Sequence, residues 1–285
     1  YPALHASAAA ASRDGRAGHT RLVTLDLALL AIAALIGIVL QALQLPGRWP
    51  RVVAAVLLAA ALLAKLAARL RSYDAEWFDG RAVAETVKSA SWRYAMHATP
   101  YDGDDAAADT LFAATLRGTI AARPGLGGLL HAVPPDGQQI TSSMREIRDL
   151  PFAERRRLYL SARVGDQIRW YSSKAAENGR QARRWFWLGF IAQGAALVLA
   201  IALIEGPALP DFVGGLAAVA AVAAAWTQFS RHDELSKSYG LAAQELAFLR
   251  STIDIAPDEL ALRSAIAATE DAISREHTMW MARRG

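Results

Sequence analysis

The sequence has 285 residues, of which 53% are hydrophobic and 20% charged, with a formal net charge of +4 and no cysteine. This hydrophobic fraction excludes a disordered chain, which combines low hydrophobicity with high net charge. The absence of cysteine excludes a disulfide framework, a thiolate metal site and a cysteine nucleophile. The apolar residues are concentrated in runs without any charge, namely 27–40, 52–64, 194–204 and 212–226. Such runs between polar stretches are typical of a membrane protein.

The four apolar runs predict four membrane-spanning helices. A helix needs about 20 apolar residues to cross the hydrocarbon core of a bilayer. We place the spans near 22–44, 50–69, 186–205 and 210–229. Pro-Gly and Gly-Pro pairs between the spans mark two short turns, which join them into two hairpins. The predicted fold class is an all-α membrane protein with four transmembrane helices in two hairpins and long amphipathic cytoplasmic helices. A water-soluble helical bundle is the alternative.

The distribution of basic residues predicts the orientation of both hairpins. Two short hairpins place residues 1–21, 70–185 and 230–285 on one side of the membrane. Most Lys and Arg residues near the membrane lie on that side, whereas the turns carry only Arg48 and Arg51. By the positive-inside rule, we expect both termini to be cytoplasmic.

Outside the spans the hydrophobic periodicity is helical, and no useful stretch alternates with a period of two, so we predict no sheet. The layout repeats as a hairpin followed by a long helix. We divide the chain into a flexible N-terminal tail (1–21), a first hairpin with its cytoplasmic helix (22–98), a connector (99–150) and a second unit (151–285). The second unit comprises a juxtamembrane helix, a hairpin and C-terminal cytoplasmic helices. The tail has no clear cleavage motif, so we do not assign it to a signal peptide.

The polar residues form no recognisable catalytic or metal-binding pattern. The six histidines have no spacing that places two on one helix face, so we predict no metal site. Because the chain also offers no catalytic constellation, we predict no cofactor and no enzymatic activity. Residues 141–185 contain eleven Lys and Arg residues against five acidic ones. A basic helix that leads into a span is attracted to anionic lipid headgroups. We favour lipid or intramolecular pairing there over a nucleotide ligand, and we expect no nucleic acid partner.

Polar and small residues within the spans are the candidates for a pore. An ionisable residue inside a membrane is costly and is therefore often functional, and small residues either allow close helix packing or line a narrow pore. The pore-lining candidates are Asp26, Gln41, Gln193, Gln228, Gly214 and Ala218. The charges expected at the pore mouth are Arg48, Arg51, Glu205 and Asp211. The alternatives are headgroup contact by the aspartate and hydrogen bonds between spans by the glutamines.

A motif on the helix before the second hairpin resembles a known family. Gln167, Trp170, Tyr171 and Lys174 form the pattern Gln-x-x-Trp-Tyr-x-x-Lys, and a two-span hairpin follows it. This arrangement is similar to the SLATT superfamily of bacterial membrane proteins. We interpret the four residues as signature positions that pack between helices.

The helix after the first hairpin resembles a second, divergent unit of the same superfamily. Trp92, Arg93 and Tyr94 are its signature positions, and Trp77, Arg81, Glu85 and Lys88 precede them. The resemblance thus implies two tandem SLATT units over most of residues 22–250.

The resemblance implies an effector in a bacterial conflict or phage-defence system, frequently encoded beside second-messenger synthases or sensors. The implied activity is homo-oligomeric pore or ion-channel formation that permeabilises the inner membrane, with a separate nucleotide-sensing partner as the trigger. No catalytic residues are implied. A non-conducting membrane scaffold or sensor, whose cytoplasmic helical bundle recruits a partner, is the alternative. A small transporter is disfavoured because the spans lack Gly or Pro breaks at the midplane.

Overall fold

The structure is a computed structural model that describes residues 1–42, 48–126, 130, 137–206 and 212–282. None of the described residues forms a strand, and the predicted all-α fold class is confirmed. In chain order the α-helices are α1 (Ala3–Ala42), α2 (Trp49–Arg71), α3 (Tyr73–Ala95), α4 (Asp105–Ala121), α5 (Ser142–Arg148), α6 (Phe152–Leu158), α7 (Asp166–Glu205), α8 (Val213–Ser230), α9 (His232–Asp254) and α10 (Glu259–Ala282). A 3-10 turn covers Pro124–Leu126, and a π-helical segment, Tyr159–Gly165, lies between α6 and α7.

Four helical stretches are long and apolar enough to cross a membrane. They are Ala3–Leu40, Arg51–Ala95, Phe152–Ile204 and Val213–Asp254, and each contains an 18-residue apolar window. The prediction of four spans is confirmed in this sense, by length and composition.

Helix α1 begins much earlier than the sequence analysis predicts. Residues 3–21, assigned above to a flexible tail, are helical and continuous with the first apolar stretch. Leu4 and Ala8 are almost fully buried, so the prediction of a tail is wrong. The alanine-rich stretch 6–11 explains the difference, because alanine is the strongest helix former and its small side chain allows close packing.

The second helix of each hairpin ends in the same way. Ser72 follows α2 and Arg231 follows α8, and each has φ 49°, which is the left-handed conformation that commonly stops a helix. A helix of 23 residues begins at the next residue in both cases, as α3 and as α9. The two halves of the chain therefore share this helix stop as well as a pair of apolar helices.

The chain forms two compact units that do not coincide with its sequence halves. One, the polar unit, consists of Tyr1–Ala17, Tyr73–Ala175 and Lys237–Gly285. The other, the membrane unit, consists of Gly18–Ser72 and Ala176–Ser236. Helices α1, α7 and α9 contribute residues to both.

The connector predicted at 99–150 belongs to the polar unit and contains two capped helices. The Asp104 side chain accepts a hydrogen bond from the backbone N–H of Ala107 at 2.8 Å and so caps α4. Thr141 caps α5 by accepting from the backbone N–H of Met144 at 3.3 Å. Phe112 of α4 is fully buried in a cluster with residues of α1 and α3.

Candidate functional site

The membrane unit reverses the packing of a water-soluble domain. Its large apolar side chains are exposed, as with Leu62 (68%), Val198 (68%) and Ile204 (80%). Among its described residues, the buried apolar ones are alanines, namely Ala33, Ala61, Ala64, Ala192, Ala196 and Ala223. Small residues inside and large ones outside are expected when lipid surrounds the helices, because close backbone approach then stabilises their association.

Helix α8 contacts two other helices of the membrane unit through small residues. A Cβ atom added to Gly215 would lie 2.0 Å from Cδ1 of Ile38, so α1 packs directly on the glycine backbone. A Cβ added to Gly189 of α7 would lie 3.5 Å from Cβ of Ala223, an ordinary contact. Helix α8 therefore packs against both α1 and α7.

The pore-lining candidates with described side chains lie on these three helices. Asp26 is half-buried in α1, whereas Gln193 in α7 and Gln228 in α8 are exposed. Gly214 is exposed and Ala218 is half-buried in α8. Most of these residues are therefore on the outer surface of a single chain.

The structure describes the side chains of only some of the residues expected at the pore mouth. Arg48 and Arg51 are exposed at the start of α2. Glu205 ends α7 and Gln41 lies in the last turn of α1, but the side chains of both are outside the described residues. Asp211 lies outside the described residues altogether.

The signature residues of the first unit are core and surface contacts of the polar unit. The Trp92 ring meets the Tyr159 ring edge-on, with centroids 5.6 Å apart. Arg93 donates to Asp271 at 2.6 Å. Tyr94 is fully buried and donates to a carboxylate oxygen of Asp109 at 2.5 Å.

The signature residues of the second unit divide into packing residues and cavity residues. Tyr171 is fully buried, and Lys174 is half-buried one turn further along α7. The Trp170 ring lies edge-on to Tyr239 of α9, with centroids 5.3 Å apart. Gln167 is 8% exposed and lines a cavity together with Trp170.

A buried ion pair joins the π-helical segment to α10. Arg163 donates from Nε and Nη2 to the two carboxylate oxygens of Glu270, at 2.9 and 2.7 Å. The Tyr159 hydroxyl donates to the same carboxylate at 2.8 Å. The side chains of Arg163 and Glu270 are 2% and 0% exposed. This network connects the π-helical segment, whose hydrogen-bonded turn is wider than that of an α-helix, to α10.

A second buried arginine organises the acidic turn at 102–105. Arg148 donates to the carbonyl oxygens of Tyr94 and Tyr101 at 2.7 and 3.1 Å, and to Asp105 at 2.7 Å. Its hydrogen bond and charge lower the pKa of the Asp105 carboxyl. Burial, with nearby arginines, lowers the pKa of His97, whose Nε2 lies 2.9 Å from the carbonyl oxygen of Arg148. These hydrogen bonds connect the turn to α5.

A cavity of about 390 Å³ lies within the polar unit, where α1, α3 and the start of α7 face one another. Its lining includes four cationic side chains, two carboxylates, two indoles and a buried amide: Arg13, Arg16, Arg81, Lys88, Glu85, Asp166, Trp77, Trp170 and Gln167. This site is not among the residues predicted from the sequence. In α3 the residues Trp77, Arg81, Glu85 and Lys88 recur with helical spacing, but the prediction of a flexible tail at 1–21 leaves them without a facing helix.

Two family matches cover nearly all of the chain. Residues 2–156 match SMODS and SLOG-associating 2TM effector domain 3, and residues 159–280 match SMODS and SLOG-associating 2TM effector domain 1. No curated protein and no solved structure matches the chain. The matches agree with the repeat described above, in which a pair of apolar helices is followed by a helix stop and a helix of 23 residues. The chain therefore belongs to the SLATT superfamily, as two tandem two-span effector domains.

Proposed function

We propose that this protein is a homo-oligomeric effector that forms an ion-conducting pore in the bacterial inner membrane. SLATT effector domains are associated with conflict and phage-defence systems, and permeabilising the cell membrane would stop an infected cell. Both termini are cytoplasmic in this proposal, and the basic residues near the spans contact anionic headgroups.

The proposal rests on polar side chains that are exposed on the spans, most of whose residues are not buried within one chain. In each apolar window only 6–11% of the residues are buried within the chain. Gln193 is exposed on this largely apolar surface, and Gln228 is exposed in the last turn of α8. An amide in contact with lipid has no hydrogen-bond partner, so a second copy or a water-filled pore is the better environment for it.

A surface of the polar unit supports assembly of several copies. Leu241, Phe248 and Ile255 follow one another at seven-residue intervals on and just after α9, and they are 74%, 74% and 78% exposed. Leu260, at the start of α10, is 77% exposed. A row of large apolar side chains with heptad spacing is typical of a helix that packs on another helix.

The test is ion flux through liposomes that contain the purified full chain. We expect flux from the unaltered protein. Combining Gln193→Leu with Gln228→Leu removes both amides and should reduce the flux by about tenfold or more. A tenfold reduction corresponds to about 1.4 kcal/mol in the barrier to conduction. Val198→Leu, at a position exposed to lipid, is the matched control and should conduct like the unaltered protein.

Two results would contradict the proposal. Absence of flux from an assembled oligomer would favour the non-conducting scaffold, in which the polar unit recruits a partner. Flux that the glutamine substitutions leave unchanged would remove these residues from the conducting path.

A further inference from the structure

The cavity of the polar unit has an excess of positive charge. Arg13, Arg16, Arg81 and Lys88 face it, against two carboxylates, Glu85 and Asp166. Asp166 also forms an ion pair with Arg169, which partly neutralises it. An anionic ligand would therefore be favoured over a cation, and several cations close together are the usual means of holding phosphate.

The same cavity has aromatic walls. Trp77 is 8% exposed and Trp170 is half-buried. An arginine lies over each ring, with Arg16 Cζ 5.5 Å from the Trp77 centroid and Arg81 Cζ 5.9 Å from the Trp170 centroid. Indole faces stack well with other planar rings, and a neighbouring guanidinium strengthens such stacks.

We propose that this cavity binds a nucleotide, with the phosphates held by Arg13, Arg81 and Lys88 and the base stacked on an indole. The buried amide of Gln167 is available for the edge of the base. The volume of about 390 Å³ lies within the range of small-molecule sites, about 300–1,000 Å³. A phospholipid headgroup has the same phosphate chemistry but no planar aromatic ring to stack on the indoles, so the free nucleotide is the better fit.

This inference goes beyond the proposed pore and holds whether or not the spans conduct. The full chain, purified in detergent, is titrated by calorimetry with ATP, GTP, CTP and UTP. Inorganic pyrophosphate tests for phosphate recognition alone, and the short-chain lipid dihexanoyl phosphatidylglycerol tests for headgroup recognition. We expect at least one nucleotide to bind about tenfold or more tightly than either of these two probes, which corresponds to about 1.4 kcal/mol.

Two variants separate the cations from the ring. Arg81→Gln combined with Lys88→Gln should abolish binding of nucleotide and pyrophosphate alike. Trp170→Leu should weaken nucleotide binding by about 5- to 150-fold, the value of one stacked base, and leave pyrophosphate binding unchanged. Arg157→Gln, an exposed arginine outside the cavity, is the matched control. Thermal unfolding is recorded for each variant, since Trp170 also packs on Tyr239.

Several results would overturn the proposal. One is that none of the four nucleotides binds, and another is that pyrophosphate or the lipid binds as tightly as the best nucleotide. A third is that the Arg81 and Lys88 variant binds nucleotide as well as the Arg157 control does.

Discussion

Two adjacent carboxylates, Glu270 and Asp271, differ in their surroundings although both pair with an arginine. Glu270 is fully buried with Arg163, whereas the Asp271 side chain is 58% exposed beside Arg93. Removing one partner of a buried pair leaves an uncompensated charge away from water. An exposed pair contributes little because water screens it.

We therefore expect losses of stability of very different size from two matched substitutions. Glu270→Gln should lower the free energy of unfolding by about 3–5 kcal/mol, whereas Asp271→Asn should lower it by less than about 1 kcal/mol. Denaturant unfolding of the protein in detergent, followed by circular dichroism, measures both. Equal losses would contradict the assignment of Arg163 and Glu270 as a stabilising buried network.

For single residues, the sequence indicates which polar side chains are buried better than it indicates which residues they contact. Glu270 falls on the apolar stripe of α10, four residues after the fully buried Ile266, and a carboxylate on such a stripe indicates a buried partner. The identity of that partner depends on the π-helical segment and on the packing of α10, which periodicity does not contain. The same is true of Arg148, whose carbonyl contacts come from residues more than forty positions away.

Two glycines bring α1 and α3 into backbone contact. A Cβ on Gly15 would lie 2.7 Å from the backbone nitrogen of Trp77, and a Cβ on Gly80 would lie 2.8 Å from that of Ser12. Real Cβ atoms do not approach backbone so closely, so any side chain at these positions must push the helices apart. The crossing also positions the cavity residues of both helices.

The same substitution at two helical glycines should therefore change the stability of the protein in opposite directions. Gly80→Ala should destabilise the protein by about 1–3 kcal/mol through overpacking. Gly118→Ala in α4, where an added Cβ would have nothing within 4 Å, should stabilise it by about 0.5–1 kcal/mol because alanine favours the helix. Thermal unfolding of the two variants measures the difference, and a gain for Gly80→Ala would refute the close crossing.

The spans could be predicted at the element scale because hydropathy alone determines them. The predicted first span at 22–44 lies mostly within α1, and the second at 50–69 lies within α2. Hydrophobic periodicity could not predict the helical start of α1, because its few buried apolar residues, among them Leu4 and Ala8, give too weak a pattern to distinguish helix from tail. The cavity was missed for that reason.

At the scale of the whole molecule, the apolar row on α9 leads to a test of assembly. Phe248→Glu places a charge in the middle of the row and should shift the protein in detergent towards the monomer. Ala247→Glu adds the same charge at an exposed position of the same helix, about 100° round the helix from Phe248, and should leave the oligomer intact. Light scattering after size exclusion reports the mass. An unchanged oligomer in Phe248→Glu would show that this row is not the contact between copies.

The boundary between the two family matches, at residues 156–159, does not separate two folding units. The edge-on contact of Trp92 with Tyr159 and the ion pair of Arg93 with Asp271 join the two matches inside the polar unit. The chain thus joins two related domains that share one hydrophobic cluster, in which Trp92 and Met96 of the first match pack with Val164 and Ile266 of the second. An assembly of n chains would contain 2n two-span domains, of two kinds in equal number. A ring of such chains would therefore have n-fold rotational symmetry, which is half the number of its two-span domains.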